Sequence, residues 1–216
     1  MLLLIGFGAF FLIIPGVVDR RLNRVRGPAL PPPSDRARKL HQNLFIIDLH
    51  ADTLLWERDL LTRNTRGHVD VPRLIEGNVA LQAFTIVTKT PIGLNIEQNS
   101  DRTDSITWLA IAERWPIATW TSLKERTLYQ IARLDNAAAR SNGQLTVVKS
   151  AADLDNYIKR RATNPACTAG FLGIEGAHAL EGDLNNIDLF YDRGVRTMSP
   201  SHFFDNDKDS LMMRFV

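Results

Sequence analysis

An apolar run that ends in a histidine and an aspartate, Ile46-Ile47-Asp48-Leu49-His50-Ala51-Asp52, is the sharpest chemical feature of the sequence. Alternate side chains of a strand point to the same side, so His50 and Asp52 would leave the C-terminal end of a strand together. An imidazole nitrogen and a carboxylate oxygen converging there suit a divalent metal of the zinc type. A hydrogen-bonded pair in a strand-to-helix turn is the competing reading, and spacing alone does not separate the two. The sequence supplies its own control in Gly67-His68-Val69-Asp70, which has the same spacing but follows the polar run Thr62 to Arg66. Here Asp70 reads as the cap of a helix through Val71-Pro72-Arg73-Leu74-Ile75, with Pro72 in its first turn.

Two further candidates lie downstream. Gly170-Phe171-Leu172-Gly173-Ile174 runs into Glu175-Gly176-Ala177-His178. A carboxylate at the end of a buried strand is either a ligand or a charge in need of a partner, because an unpaired buried Glu is costly. Glu175 is therefore a candidate ligand, with capping of the next helix as its alternative, and His178 is expected to support the site without binding metal. His202 follows another strand, in Met198-Ser199-Pro200-Ser201-His202-Phe203-Phe204-Asp205-Asn206. Taken alone, a histidine before two aromatic residues reads as packed.

Positioning these residues requires strands that end at one rim, and the chain has that pattern. Short apolar runs alternate with longer amphipathic stretches, the signature of βα units and a parallel sheet. Strands are expected at Leu44 to Leu49, Val79 to Val87, Gln144 to Lys149, Ala169 to Ile174 and Val195 to Ser199. Helices are expected at Thr53 to Leu61, at Asp104 to Ala139 with a break at Trp115-Pro116, at Ala151 to Arg161 and at Leu184 to Asp192. Ile46-Ile47 and Phe171-Leu172-Gly173-Ile174 read as strands buried on both faces. The expected class is α/β, a partial (β/α)8 barrel of about its first five strands, since a closed barrel needs eight strands and about 250 residues.

The segment 1–19 is apolar and uncharged from Leu2 to Val18 and is expected to be a single-pass membrane anchor, with a cleaved secretory signal and a buried core helix as the alternatives. Arg20, Arg21, Arg24 and Arg26 follow it, and residues 20–38, with Pro31-Pro32-Pro33, read as a basic, semi-rigid linker. Residues 39–216 form the folded unit. The composition is 44% hydrophobic and 23% charged with net charge +2, a balance that gives no reason to expect nucleic acid as a partner. The single cysteine, Cys167, excludes an internal disulfide and a Cys-rich metal site, so a metal must be held by His and carboxylate. Oligomeric state and the side of the membrane are left open.

Asp48-Leu49-His50-Ala51-Asp52, Gly67-His68-Val69-Asp70-Val71-Pro72-Arg73-Leu74, Gly173-Ile174-Glu175-Gly176-Ala177-His178 and Ser201-His202-Phe203-Phe204-Asp205-Asn206 together resemble, in order and spacing, successive blocks of the membrane (renal-type) dipeptidase family. The resemblance runs from about Leu44 to about Asp207. It implies a zinc peptidase that hydrolyses dipeptides on a (β/α)8 barrel. By that resemblance His50 and Asp52 bind a first zinc, Glu175 bridges it to a second, and His202 contacts substrate and stabilises the tetrahedral intermediate. The family holds its second zinc with two histidines on later strands and uses a further Arg and Asp at the substrate, and none of these four has a counterpart in this sequence. After Asn206 the family's Gly-rich, His-containing loop is replaced by Asp207-Lys208-Asp209-Ser210, so the chain is expected to be a truncated, inactive fragment. The alternatives are a non-catalytic remnant, or another metal-dependent, amidohydrolase-like enzyme, although many of those carry His-x-His at the first strand.

Overall fold

A computed structural model describes residues 2–27, 31–97 and 99–203, with the side chains of residues 2–11 outside the description. Five parallel strands form one sheet: β1 (Ile46–Ala51), β2 (Val79–Val87), β3 (Leu145–Val147), β4 (Thr168–Glu175) and β5 (Val195–Met198). The helices are α1 (Leu2–Leu22), α2 (Asp35–Gln42), α3 (Val71–Glu76), α4 (Ser105–Ala112), α5 (Leu123–Arg140), α6 (Ala151–Thr163) and α7 (Asn185–Asp192). This is an α/β fold with a parallel sheet, consistent with the opening part of a barrel.

Strand order departs from a simple progression. One edge of β4 pairs with β2 along its length, from Leu81 opposite Ala169 to Val87 opposite Glu175. The other edge is shared, with β3 beside Thr168 to Gly170 and β5 beside Leu172 to Ile174. β3 is short because the chain turns out of the sheet directly after it. Ser150 caps α6 by accepting from Asp153 N, and the Asp153 carboxylate accepts from Lys149 N at 3.0 Å. Above Gly170 that edge of β4 is left to β5.

The main core lies between the sheet and the helices on one face. Phe84 and Ile86 of β2 and Leu172 and Ile174 of β4 pack there with Leu74 of α3, Ile131 and Leu134 of α5 and Phe190 of α7. β4 needs two glycines for this packing: a Cβ at Gly170 would lie 2.4 Å from the Phe84 ring, and one at Gly173 would lie 2.5 Å from Thr197 Oγ1. α5 is pinned by Arg126, 1% exposed, which donates to the Asp104 carboxylate at 2.6 Å and to the carbonyls of Thr88, Thr119 and Trp120.

Two expectations are corrected. The helix expected from Thr53 to Leu61 is a single 3-10 turn at Thr53–Leu55, after which the chain is held by side chains, with the Arg58 guanidinium donating at 2.5 Å to Arg66 O. β1 is not buried on both faces: Ile47 is 47% and Leu49 70% exposed, because no described strand pairs with its outer edge. The membrane anchor expected over residues 1–19 falls largely on positions whose side chains lie outside the description; among the described residues no helix is long and apolar enough to cross a membrane. α1 runs on to Leu22 through Pro15, Asp19, Arg20 and Arg21, and it carries Asp19 into the protein. The Asp19 carboxylate accepts from Arg66 Nε at 2.5 Å and lies 3.6 Å from Arg58 Nε, while Asn23 O accepts from Gly67 N at 2.7 Å. Part of the expected proline linker, and the segment from Phe204 on which the truncation reading rests, lie outside the described residues.

Candidate metal centre

Parallel strands present all their C-terminal ends at one rim, and both candidate motifs sit there. His50 is near the end of β1, with Asp52 just past it, and Glu175 is the last residue of β4. β2 lies between them, so the backbones of β1 and β4 are two strand spacings apart, about 9.5 Å. Only long side chains meet across that gap. His50 Nε2 lies 2.9 Å from Glu175 Oε1 and 3.3 Å from Asp52 Oδ1.

From β2, Thr85 Oγ donates to Asp52 Oδ1, fixing the carboxylate between the strands. His202, four residues beyond β5, places Nε2 2.9 Å from Glu175 Oε2, and its ring lies tilted by 43° against Phe203 at 3.8 Å between centroids. The two strand-end loops are tied to each other as well: Gly176 N donates to Ser199 Oγ at 2.9 Å and Ser199 N to Ile174 O at 3.0 Å. The three residues expected to bind metal therefore come together, and His202 joins them through Glu175.

The donor set fits a divalent cation. One ligand atom from each of His50, Asp52 and Glu175 lies within 4.8 Å of the others. Two ligands about 2.0–2.1 Å from a tetrahedral zinc are themselves roughly 3.3 Å apart, close to the His50–Asp52 and His50–Glu175 separations. Electrostatics agree. Burial pushes the Asp52 carboxyl above its ordinary value and the neighbouring Glu175 charge adds to the push, against the Thr85 hydroxyl and His50. A cation between the two carboxylates would relieve that repulsion.

The other candidates separate cleanly. Asp70 caps α3, accepting from Arg73 N at 2.9 Å, while His68 is exposed and takes no part in the cluster. Although burial opposes its charge, the hydrogen bonds from Arg73 and from Asn64 N hold the Asp70 carboxyl below its usual range. His178 is half-buried and packs on Gly176, where a Cβ would meet its ring at 2.1 Å. Burial first, and the nearby His202 second, push the His178 imidazole down to about 4.

Sequence reasoning missed Thr85 and the contribution of α1. Thr85 is a lone hydroxyl in the apolar run Val79–Val87, and its polarity was the signal available. A cavity of about 710 Å³ opens above the centre, lined at one end by His50, Asp52, Glu175 and His202 and elsewhere by apolar side chains that include Ile14, Val18 and Leu22 of α1.

A family model for the membrane dipeptidases, peptidase family M19, matches residues 34–213. Among solved structures, the probable dipeptidase PvdM from Pseudomonas aeruginosa is similar at a TM-score of 0.57 and 16% identity, over 82% of this chain and 39% of that one. At that identity the likeness is one of fold. A metallopeptidase from Rhodobacter sphaeroides, solved with a phosphinate mimic of the dipeptide L-Ala-D-Ala, matches at a TM-score of 0.49 and 22% identity, over 75% of this chain and 46% of that one. The chain thus spans less than half the length of these solved relatives. No curated protein sequence matches it.

Proposed function

Because the chain belongs to the membrane dipeptidase family, peptidase family M19, we propose that it is the metal-ligating part of a zinc-dependent dipeptidase, built on the first five strands of a (β/α)8 barrel. The observation that carries the reading is the meeting of His50, Asp52 and Glu175 ligand atoms across β2 at the strand-end rim. A zinc ion bound there would bring its water's pKa to about 7 and polarise a peptide carbonyl.

The protein side chains do the rest. Asp52 and Glu175 supply the charge that retains the cation, and Thr85 and His50 keep Asp52 turned toward it. His202 Nε2, now donating to Glu175, is placed to donate instead to the carbonyl oxygen of a dipeptide as that oxygen gains charge. The apolar side chains of the cavity would make its interior less polar beside the scissile bond. The second Glu175 oxygen, Oε2, lies 2.9 Å from His202 Nε2 and would be the atom available to a second ion, whose further ligands are not in the described cluster.

A non-catalytic metal-binding remnant is the second reading, favoured by the exposure of the His50 side chain (60%) and by a single described ligand cluster. Calorimetric titration of the 216-residue chain with zinc, beside Glu175→Gln, tests the centre. Binding that weakens by at least about a hundredfold in the variant is expected for loss of a direct ligand, since even outer partners account for roughly 10- to 100-fold. No binding by the parent, or equal binding by both, removes the assignment. Hydrolysis of alanyl-alanine by the zinc-loaded chain separates the readings: turnover supports the enzyme, and zinc binding without turnover supports the remnant.

A further inference from the structure

α1 reaches the cavity through one stripe of its surface. Ile14, Val18 and Leu22 recur at four-residue intervals, the spacing that puts side chains on one helical face, and all three line the space above the metal-ligating cluster. Ile14 and Val18 are half-buried there, whereas Leu22, at the end of the stripe, is 64% exposed, and Leu12, Ile13, Val17, Arg20 and Arg21 are exposed on the rest of the surface. The facing wall is apolar too, with Leu55, Trp56, Val87, Ile106 and Leu109.

The helix is held in that orientation by one carboxylate. Asp19, 5% exposed, sits one residue past Val18 and joins the guanidiniums of Arg66, at 2.5 Å, and Arg58, at 3.6 Å; Asn23 Nδ2 donates to its other side at 2.9 Å. Both arginines belong to the segment between β1 and α3 that also bears Trp56, so the clamp joins the helix to the opposite wall of the same cavity. A buried carboxylate with two cationic partners is costly to break by removing one partner, which makes it a selective tether.

We propose that α1 is a specificity-determining wall of the substrate cavity: Ile14 and Val18, with Leu22 at its open rim, held by the Asp19 clamp, form with the facing apolar residues a subsite for an apolar side chain of the bound dipeptide. The inference rests on the dipeptide reading of the centre and adds what the cavity prefers. Full burial of a leucine side chain corresponds to roughly 10- to 100-fold in affinity, and a cavity walled on both sides realises the lower part of that range.

The test compares leucyl-leucine with glycyl-glycine on the zinc-loaded 216-residue chain by calorimetry, in the parent, in Val18→Ser and in Asp19→Ala. The parent is expected to favour leucyl-leucine by about tenfold or more. Val18→Ser, a change at a half-buried position, is expected to cut that preference about threefold, and Asp19→Ala to abolish most of it. Equal affinities in the parent, no binding of either dipeptide, or a parental ratio in Val18→Ser overturns the inference. Zinc titration of the same three proteins reports the centre separately: zinc binding with unchanged selectivity sinks only the wall, whereas no zinc binding in the parent sinks the functional reading.

Discussion

Replacing Gly176 by alanine probes how the end of β4 holds Glu175. Gly176 has φ +94° and ψ 124°, a region that side-chain-bearing residues avoid, so the backbone alone costs about 1–3 kcal/mol. The added Cβ would lie 2.1 Å from His178 Cε1 and 2.4 Å from Nδ1. The imidazole must leave its half-buried seat, which adds about 1–3 kcal/mol of overpacking. The expected total is roughly 2–6 kcal/mol. Urea denaturation of Gly176→Ala, His178→Ala and the double variant separates the parts. With the ring removed, the alanine should cost only its backbone share, so the double variant should be more stable than the sum of the singles predicts. Zinc affinity of Gly176→Ala should fall as well, because Glu175 adjoins the displaced turn. Parental stability in Gly176→Ala, or strict additivity, would refute the claim that the glycine is required by its conformation and by the ring against it.

Acid should weaken the fold through His178. Its folded value near 4 lies below the ordinary 6.5, so the unfolded chain takes up a proton that the folded chain refuses, and stability is lost as pH falls from about 6.5 to 4. That window is worth up to roughly 3 kcal/mol, and urea midpoints of His178→Asn should show a shallower slope across it. Thr85→Val keeps the shape of the strand but removes the donor to Asp52; zinc affinity should fall about tenfold, and unchanged calorimetric affinity would remove Thr85 from the centre. Asp70→Ala should cost about 1–3 kcal/mol, by loss of the α3 cap and of the Arg73 partnership, while zinc binding stays at the parental value. Arg126→Met should cost about 3–5 kcal/mol in urea denaturation, because Asp104 loses its buried partner and three carbonyls lose their donor.

Local chemistry was legible in the sequence wherever one short segment settled it. Strand positions followed from apolar runs, and Val79 to Val87 coincides with β2 because its residues are buried almost throughout. The two His-x-Asp pairs were told apart by what precedes them, an apolar strand for His50 and a polar loop for His68, and Asp70 caps α3 as its neighbours Val71 and Pro72 required. The strand-end position of Glu175 marked a carboxylate in need of a partner.

What only the tertiary structure decided were relations between distant segments. That His50 and Asp52 meet Glu175 depends on β2 pairing with both β1 and β4, a sheet order with no local signature. Ile47 and Leu49 are apolar yet exposed, since burial depends on a neighbour that the strand's own residues do not specify. The first helix shows the same dependence. An apolar run does not say what its faces meet, and the position of its C-terminal end is fixed by Arg58 and Arg66, some forty residues onward, which reach back to Asp19.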